Sequence, residues 1–322
     1  MADILKEIYE KAKEFRKKII LPEGDDPRII KAAKLIKSRG LAVPILIGNP
    51  EKISRQIPGA EVIDSKNAHD TLSYAREMYE IRKNKGMTLN QAIELIKQPA
   101  YLGAMMVKMG DADGMVCGCT MSTADAIRPA LQLIGAKDHF ASSFFLMIHK
   151  QGNYIFADCG LVANPDEKQL AAIAIHSARS AANLGINPRV AFLSYSTKGS
   201  AEDDNLEKIR AAFKLVKQKR PNFPIDGELQ FDAAISPDVA KAKCKDSPLG
   251  GEANVFIFPD LNSGNIGYKI AEYLGGAKAI GPILQNMNKP VSDLSRGATV
   301  EEIVDIVAVV VSQAGENEDS SS

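Results

Sequence analysis

The sequence predicts an α/β protein of two domains with mainly parallel sheets. Three observations carry this. Short apolar runs alternate with helical spacing near the start: residues 18–21, then 26–37, then 41–47. That is the strand–helix–strand order of a parallel sheet. The alternation returns in the last third, where Val255-Phe-Ile-Phe258 passes through Pro259-Asp-Leu-Asn-Ser-Gly264 into helical spacing over 266–274. Finally, 322 residues without repeats or low-complexity linkers suffice for one large or two ordinary domains.

Composition narrows the function classes. Lys+Arg and Asp+Glu balance at 40 each, so no overall basic field favours nucleic acid or an anionic membrane, and any anion site must be local. Cys117, Cys119, Cys159 and Cys244 are too few and scattered for a disulfide framework. Cys117-Gly-Cys119 lacks the two-residue spacer and second ligand pair of a metal site, so these are read as buried or loop thiols in a reducing cytosol. The N-terminal segment has an apolar helical face (Ile4, Leu5, Ile8, Tyr9, Ala12, Phe15) broken by acids, unlike a targeting signal. The apolar run 303–311 is far shorter than the roughly 18 residues of a spanning helix. The polar, acidic tail 315–322 reads as a solvated terminus.

In order, residues 4–15 form the first helix and 18–21 the first strand, ended by Pro22-Glu-Gly24. Asp26-Pro27 starts a helix, with Pro in its first turn. The strand 41–47 closes on Gly48-Asn49-Pro50, and no G-x-G-x-x-G follows any of these strands, so the dinucleotide fingerprint is missing. One helix then spans about 68–82, and another starts at Thr88 with Gln91 completing a capping box. The basic turn between them, 81–86, reads locally as a solvated helix C-terminus. Residues 113–116 form a strand that enters the small-residue loop 117–125 and a helix from about Ala124, which Arg128-Pro129 should interrupt.

The apolar strands 141–148 and 153–157 are joined as a hairpin through Lys150-Gln-Gly152, and an alanine-rich helix follows over 166–183 with Ile173, Ile175 and Ala178 buried. His69, His139, His149 and His176 are isolated, so no metal cluster can be assembled from them. The loop Ser196-Thr-Lys-Gly-Ser200, after a strand at 190–195, lacks a Walker A frame. It reads equally as a phosphate or cofactor wall and as a loop whose serines bond their own backbone. A helix at 205–216, a strand at 225–229 and a helix from Gln230 come next. Asp226, Glu228 and Asp232 could bind Mg²⁺ or act as acid and base, or could equally cap helices and pair with Lys or Arg.

The last loop, 292–298, carries a hydroxyl (Ser295), a guanidinium (Arg296) and Gly297 ahead of a helix announced by the capping-box spacing Thr299-Val-Glu-Glu302. A hydroxyl, a fixed cation and a helix N-terminus suit an oxyanion or a phosphoryl group. Here the chain resembles the phosphate acetyltransferase (phosphotransacetylase) family, whose members move an acetyl group between coenzyme A and inorganic phosphate. The resemblance covers nearly the whole chain. It rests on Leu193-Ser-Tyr-Ser-Thr-Lys-Gly-Ser-Ala201, Ile225-Asp-Gly-Glu-Leu-Gln230, residues 254–270, Gly281-Pro-Ile283 and Asp293-Leu-Ser-Arg-Gly297.

The resemblance implies two domains of isocitrate-dehydrogenase-like fold with the active site in the interdomain cleft. It implies a discontinuous domain of residues 1–141 plus 282–322 around a middle domain of 142–281, and a cytoplasmic homodimer. It also implies roles: Arg128 and Arg296 for phosphate, Ser295 for the developing oxyanion, Arg82 for the phosphate-bearing nucleotide end of coenzyme A. Glu302 stands where the family has an aspartate proposed as general base, although locally it is the third residue of the Thr299 capping box. Met121 stands where the family commonly has histidine, which argues against imidazole chemistry in that loop.

The implied chemistry needs few parts. Coenzyme A is a thiol with a pKa near 8.5, so a base must raise its thiolate fraction. Phosphate needs fixed cations, for which bidentate arginine is suited, and the tetrahedral oxyanion needs a donor. No permanently bound cofactor, metal or acyl-enzyme is required, and acetyl-CoA, phosphate and acetyl phosphate are the expected partners. Phosphate butyryltransferase is the nearest alternative. A metal- and nicotinamide-dependent decarboxylating dehydrogenase using Asp226, Glu228 and Asp232, or a non-catalytic binding protein, are the others.

Overall fold

The computed structural model describes residues 4–67 and 71–319, with side chains to 315. The first residues of the helix expected at 68–82, and His69, lie outside the described residues, as does the end of the tail. The chain forms two compact units, one of residues 2–141 and 287–322 and the other of 142–286.

In the first segment, α1 (Ile4–Phe15) precedes β1 (Lys18–Leu21), α2 (Pro27–Arg39), β2 (Val43–Ile47), α3 (Pro50–Gln56) and β3 (Glu61–Ile63). Asp26 caps α2 by accepting from the Arg28 N–H, and Pro27 fills the position where no donor is needed. Asn49-Pro50 repeats the device and starts α3, so the chain turns helical where the sequence suggested only the end of a strand. Then come α4 (Thr71–Arg82), α5 (Leu89–Leu95), α6 (Pro99–Met109), β4 (Gly114–Cys117) and α7 (Thr123–Pro129). The Thr88/Gln91 capping box forms in both directions.

The middle unit holds β5 (Ser142–His149), β6 (Gly152–Ala157), α8 (Glu167–Asn183), β7 (Val190–Leu193), α9 (Asp204–Gln218), β8 (Ile225–Leu229), α10 (Phe231–Ile235), α11 (Pro237–Lys243), β9 (Val255–Ile257), α12 (Leu261–Tyr273) and β10 (Lys278–Gln285). The chain returns to the first unit with β11 (Val291–Asp293) and α13 (Val300–Asp319).

Both units are α/β with mainly parallel pairing. In the first, the strand order is β3-β2-β1-β4-β11 and every pairing is parallel. The central strands β1, β2 and β4 are largely apolar and buried on both faces, as in a sheet covered by helices on each side. Helix α13 packs on α1, α2 and β4, burying Ile303, Val304, Val307 and Val310, and the Tyr9 hydroxyl donates to Asp305 at 2.6 Å. In the middle unit the order is β10-β5-β6-β9-β7-β8, antiparallel at β10–β5 and at the β5–β6 hairpin and parallel beyond. Phe145, Phe156, Leu193 and Phe256 lie in its core, and Tyr268 of α12 stacks on Phe145 with centroids 4.0 Å apart.

Three local expectations are corrected. Pro129 does not break its helix: α7 includes it, and wider turns continue over 130–134, with Gly135 N–H donating to the Ala130 carbonyl five residues back. Proline removes one donor, and a shift to π-type spacing lets the following amides find carbonyls. Helix α12 starts at Leu261 rather than Ile266, because Asp260 accepts from the Ser263 N–H at 2.9 Å and caps it early. Ile175 is only half-buried, since the buried face of α8 runs through Leu170, Ile173, Ala174, Ser177, Ala178 and Ala181.

The acids of β8 and α10 each meet a cation of their own. Lys198 pairs with Asp226, Arg210 with Glu228 at 3.0 Å, and Lys243 with Asp232 at 2.7 Å. Burial alone would raise the Glu228 carboxyl, but Arg210, the Gly199 N–H and the Ser196 hydroxyl hold it down to about 2. The 196–200 loop is therefore wrapped around a buried carboxylate, with Ser200 Oγ also accepting from the Thr197 N–H at 3.0 Å. Arg210→Met should strand that carboxylate. We expect a lower melting temperature at pH 7 and faster hydrogen exchange at the Gly199 amide; unchanged exchange would show that Arg210 does not hold the loop.

Candidate active site

Ser295 and Arg296 follow the C-terminal end of β11, with Glu302 in the first turn of the next helix, while Arg128 sits in the last turn of α7, the helix after β4. These strands pair in parallel with Asp293 opposite Cys117, and the Leu294 N–H donates to the Cys117 carbonyl at 2.7 Å. The loops leaving both strands are thereby forced side by side, at the edge where parallel sheets bind ligands. Gly118 makes this approach possible. Its φ is +118°, and a Cβ there would collide with the Asp293 carboxylate and the Leu294 backbone.

The loop after β4 is held from below by Glu23, which follows β1. Its buried carboxylate accepts from the N–H groups of Gly118 at 2.7 Å, Cys119 at 2.8 Å and Thr120, and from the Thr120 hydroxyl at 2.7 Å. Ser122 then caps α7 by accepting from the Asp125 N–H, and Arg128 lies exposed on α7, 3.1 Å from Asp125. That pairing is a surface contact which an incoming anion can replace at little cost.

The loop after β11 exposes Ser295 and Arg296. Ser295 Oγ accepts from the Gly297 N–H at 3.2 Å. At the start of α13 both halves of the capping box form: Thr299 N–H donates to Glu302 Oε2 at 2.6 Å, and Glu302 N–H to Thr299 Oγ1 at 3.3 Å. Thr299 Oγ1 also donates to the same Oε2, so both bonds fall on one carboxylate oxygen. Arg82 lies apart, at the end of α4, where it lines a cavity of about 660 Å³ with Lys85, Gln91, Tyr101 and Gln132. Its Nε is buried and has no hydrogen-bond partner among the described residues.

Three residues of this edge escaped the sequence reading: Glu23, Arg28 and Asp293. Asp293 was visible as the first residue of Asp293-Leu-Ser-Arg-Gly297 but suggested no role. It is 2% exposed, and its Oδ1 has no hydrogen-bond partner among the described residues. Burial pushes its carboxyl up to about 6, against bonds from Thr123 and the Leu294 N–H, and nearby Glu23 adds to the rise. Arg28 carried one signal, a cation in the first turn of a helix, where the dipole disfavours it. Neither cysteine of the loop is a ready nucleophile, because burial raises the Cys117 thiol well above its usual range and pushes Cys119 up to about 12. Among the described residues no group of three His, Cys, Asp or Glu could hold a metal ion. None of the described helices is long and apolar enough to cross a membrane.

A parallel α/β unit with a hydroxyl and an exposed arginine on one strand-end loop, and a second exposed arginine on the helix after the neighbouring strand, has the parts that an oxyanion or phosphoryl group calls for. Comparison with known proteins is more specific. The sequence profile of the family described as "Phosphate acetyl/butaryl transferase" matches residues 3–311. A phosphate acetyltransferase from Acetivibrio thermocellus is 48% identical, over 96% of this chain and 98% of its own. A second, from Thermoanaerobacterium thermosaccharolyticum, is 47% identical over 97% of this chain and 99% of its own. The solved phosphotransacetylase from Streptococcus pyogenes superimposes with a TM-score of 0.93 at 41% identity, over 98% of this chain and 99% of its own. The chain belongs to the phosphate acetyl/butaryl transferase family.

Asp293 makes stability pH-dependent in a defined sense. Unfolded, it ionises near 3.8; folded, near 6. Between those values the native state holds the extra proton, so stability present at acid pH is lost as pH rises through the window. Asp293→Asn should therefore raise the melting temperature by a few degrees at pH 8, the gain shrinking toward pH 4. Melts at both pH values check this, and an equal shift at each would exclude the carboxyl as the source.

Proposed function

We propose that the protein catalyses reversible acetyl transfer between coenzyme A and inorganic phosphate: acetyl phosphate and coenzyme A give acetyl-CoA and phosphate. The observation that carries this reading is the Ser295-Arg296 loop, fixed beside the loop that leads to Arg128 and followed at once by a capped helix N-terminus. Relatives named phosphate acetyltransferase and solved phosphotransacetylases support it. Their names favour the acetyl over the butyryl substrate.

In this reading the coenzyme A thiolate attacks the acetyl carbonyl directly. The C–S bond forms, the oxyanion takes a hydrogen bond from Ser295 Oγ, and collapse breaks the C–O bond to release phosphate. Arg296 and Arg128 hold the phosphoryl oxygens, where paired guanidinium N–H groups match the geometry. Glu302 takes the thiol proton. Its Oε2 is occupied by Thr299, which leaves Oε1 for that task while the cap holds the carboxylate still. Arg82, with Lys85 in the same cavity, receives the phosphate-bearing nucleotide end of coenzyme A.

No step needs a redox cofactor, a metal or an acyl-enzyme. Asp226, Glu228 and Asp232, the ligand set of the dehydrogenase alternative, are already paired with Lys198, Arg210 and Lys243. We further read the protein as a cytoplasmic homodimer. In support, Ile266, Ile270, Tyr273 and Leu274 of α12 and its C-cap are exposed together at one-turn and two-turn spacing, an apolar face a second copy would cover.

Acetyl phosphate should accumulate in proportion to coenzyme A released from acetyl-CoA, and only when phosphate is present. Thioester absorbance followed across acetyl-, propionyl- and butyryl-CoA checks both activity and acyl preference. Release without phosphate, or turnover that requires NAD, would overturn the reading.

Glu302 has two roles that one substitution separates. Glutamine can accept the Thr299 N–H but cannot ionise. Glu302→Gln should keep the melting temperature within a few degrees, cap effects being about 1 kcal/mol, while turnover falls by about a hundredfold or more. Thr299→Ala should do the reverse, losing some stability with smaller catalytic damage. Near-normal turnover in Glu302→Gln would leave Glu302 as a cap only.

A further inference from the structure

The Arg28 guanidinium ties three chain segments together. Nε and Nη2 donate to the two Asp26 carboxylate oxygens at 3.1 and 2.9 Å. Nη2 also donates to the Cys119 carbonyl at 2.9 Å. Nη1 donates to the Arg296 carbonyl at 2.7 Å and the Ala298 carbonyl at 3.2 Å. One planar group thus bridges the start of α2, the loop after β4 and the loop after β11. It does so against its helix, since a cation in the first turn faces the positive end of the dipole. The Asp26 carboxylate offsets this and orients the fork.

The carbonyls it grips bracket Gly297, the flexible residue immediately after Ser295 and Arg296. Ser295 and Arg296 are themselves exposed, and among the described residues the only hydrogen bond to either side chain is the local one from the Gly297 N–H to Ser295 Oγ. Their positions therefore depend on the backbone beneath them, which Arg28 fixes relative to the loop leading to Arg128. We infer that Arg28 is a positioning residue for acyl transfer, locking the Arg296–Ala298 backbone so that the Ser295 hydroxyl and the Arg296 guanidinium are held in reacting geometry. Lysine cannot replace it, because one ammonium has no planar fork to span two loops and a carboxylate. The inference rests on the acyl-transfer reading given above.

The test is steady-state kinetics of Arg28→Ala and Arg28→Lys, alone and combined with Ser295→Ala, in the acetyl phosphate and coenzyme A assay. Both single variants should lose about tenfold or more in kcat, since small misplacements of reacting groups are costly. KM for coenzyme A should stay within about twofold, because Arg82 and its cavity are untouched, and melting temperatures should stay within a few degrees. Combined with Ser295→Ala, the Arg28 substitution should cost less than it does alone, the signature of residues acting through one another. A merely structural arginine would lower stability while its kinetic effect multiplied independently with that of Ser295. Should Arg28→Ala not fold, Arg28→Lys and Asp26→Asn carry the same measurements. No coenzyme A-dependent consumption of acetyl phosphate by the unaltered enzyme would sink the functional reading itself. An active unaltered enzyme with near-normal kcat in Arg28→Lys, or with simply multiplicative losses, would overturn the Arg28 inference alone.

Discussion

The site depends on one pairing, that of β11 with β4. The chain leaves the first unit after β4 and α7, builds the middle unit, and returns to lay β11 in parallel register with Asp293 opposite Cys117. Parallel strands end at the same edge, so this register sets the loop of Ser295 and Arg296 against the loop that leads to Arg128. The closeness of that approach explains the glycine at 118, which is excluded from any larger residue by the Asp293 carboxylate and Leu294 backbone as well as by its φ. A slip of the register would turn β11 over, sending the buried Val291 and Asp293 to the opposite face.

Packing two loops this tightly buries carboxylates, and the fold deals with them in different ways. Glu23 is met by three backbone N–H groups and a hydroxyl. In the middle unit, Asp158 accepts from Ser143 N–H and Oγ and from the N–H groups of Gly160, Leu161 and Val162, although burial still raises its carboxyl. Glu228 has Arg210 and is held low. Asp293 is the exception. It is enclosed beside another carboxylate with an unbonded oxygen, at a cost in stability at neutral pH. Natural proteins tolerate such local conflicts chiefly where function demands the geometry, and Asp293 stands two residues before Ser295.

The electrostatics of the edge follow from a neutral chain. With no net charge to attract anions at long range, affinity must come from exposed guanidinium groups and backbone donors over short distances. Arg128 and Arg296 are exposed and lightly partnered, whereas Arg28 is consumed by structure. The same residue type thus plays opposite parts within one small region. What separates them is whether carbonyls of neighbouring loops lie within reach of the fork, since Arg128 meets only Asp125 of its own helix among the described residues.

Local features were legible in the sequence. Strands appeared as short β-branched runs, helix starts as Asp26-Pro27, Thr88…Gln91 and Thr299…Glu302, and the hairpin as Lys150-Gln-Gly152, because period and cap chemistry act within a few residues. Ser295 and Arg296 were legible as polar groups on a strand-end loop and Arg128 as an arginine after another, helped by long motifs shared with a known family. What tertiary structure alone decided is which distant groups meet. The Glu23 carboxylate holds amides about a hundred residues away in sequence, Arg28 grips carbonyls still farther along, and Asp293 is desolvated by a loop from β4. The continuation of α7 past Pro129 also lay beyond local rules, since later amides had to find carbonyls at π spacing. A sequence specifies its hydrogen-bond donors and acceptors, but burial and pairing across the sheet choose their partners, and those partners set both the charge of Asp293 and the stillness of the Ser295-Arg296 loop.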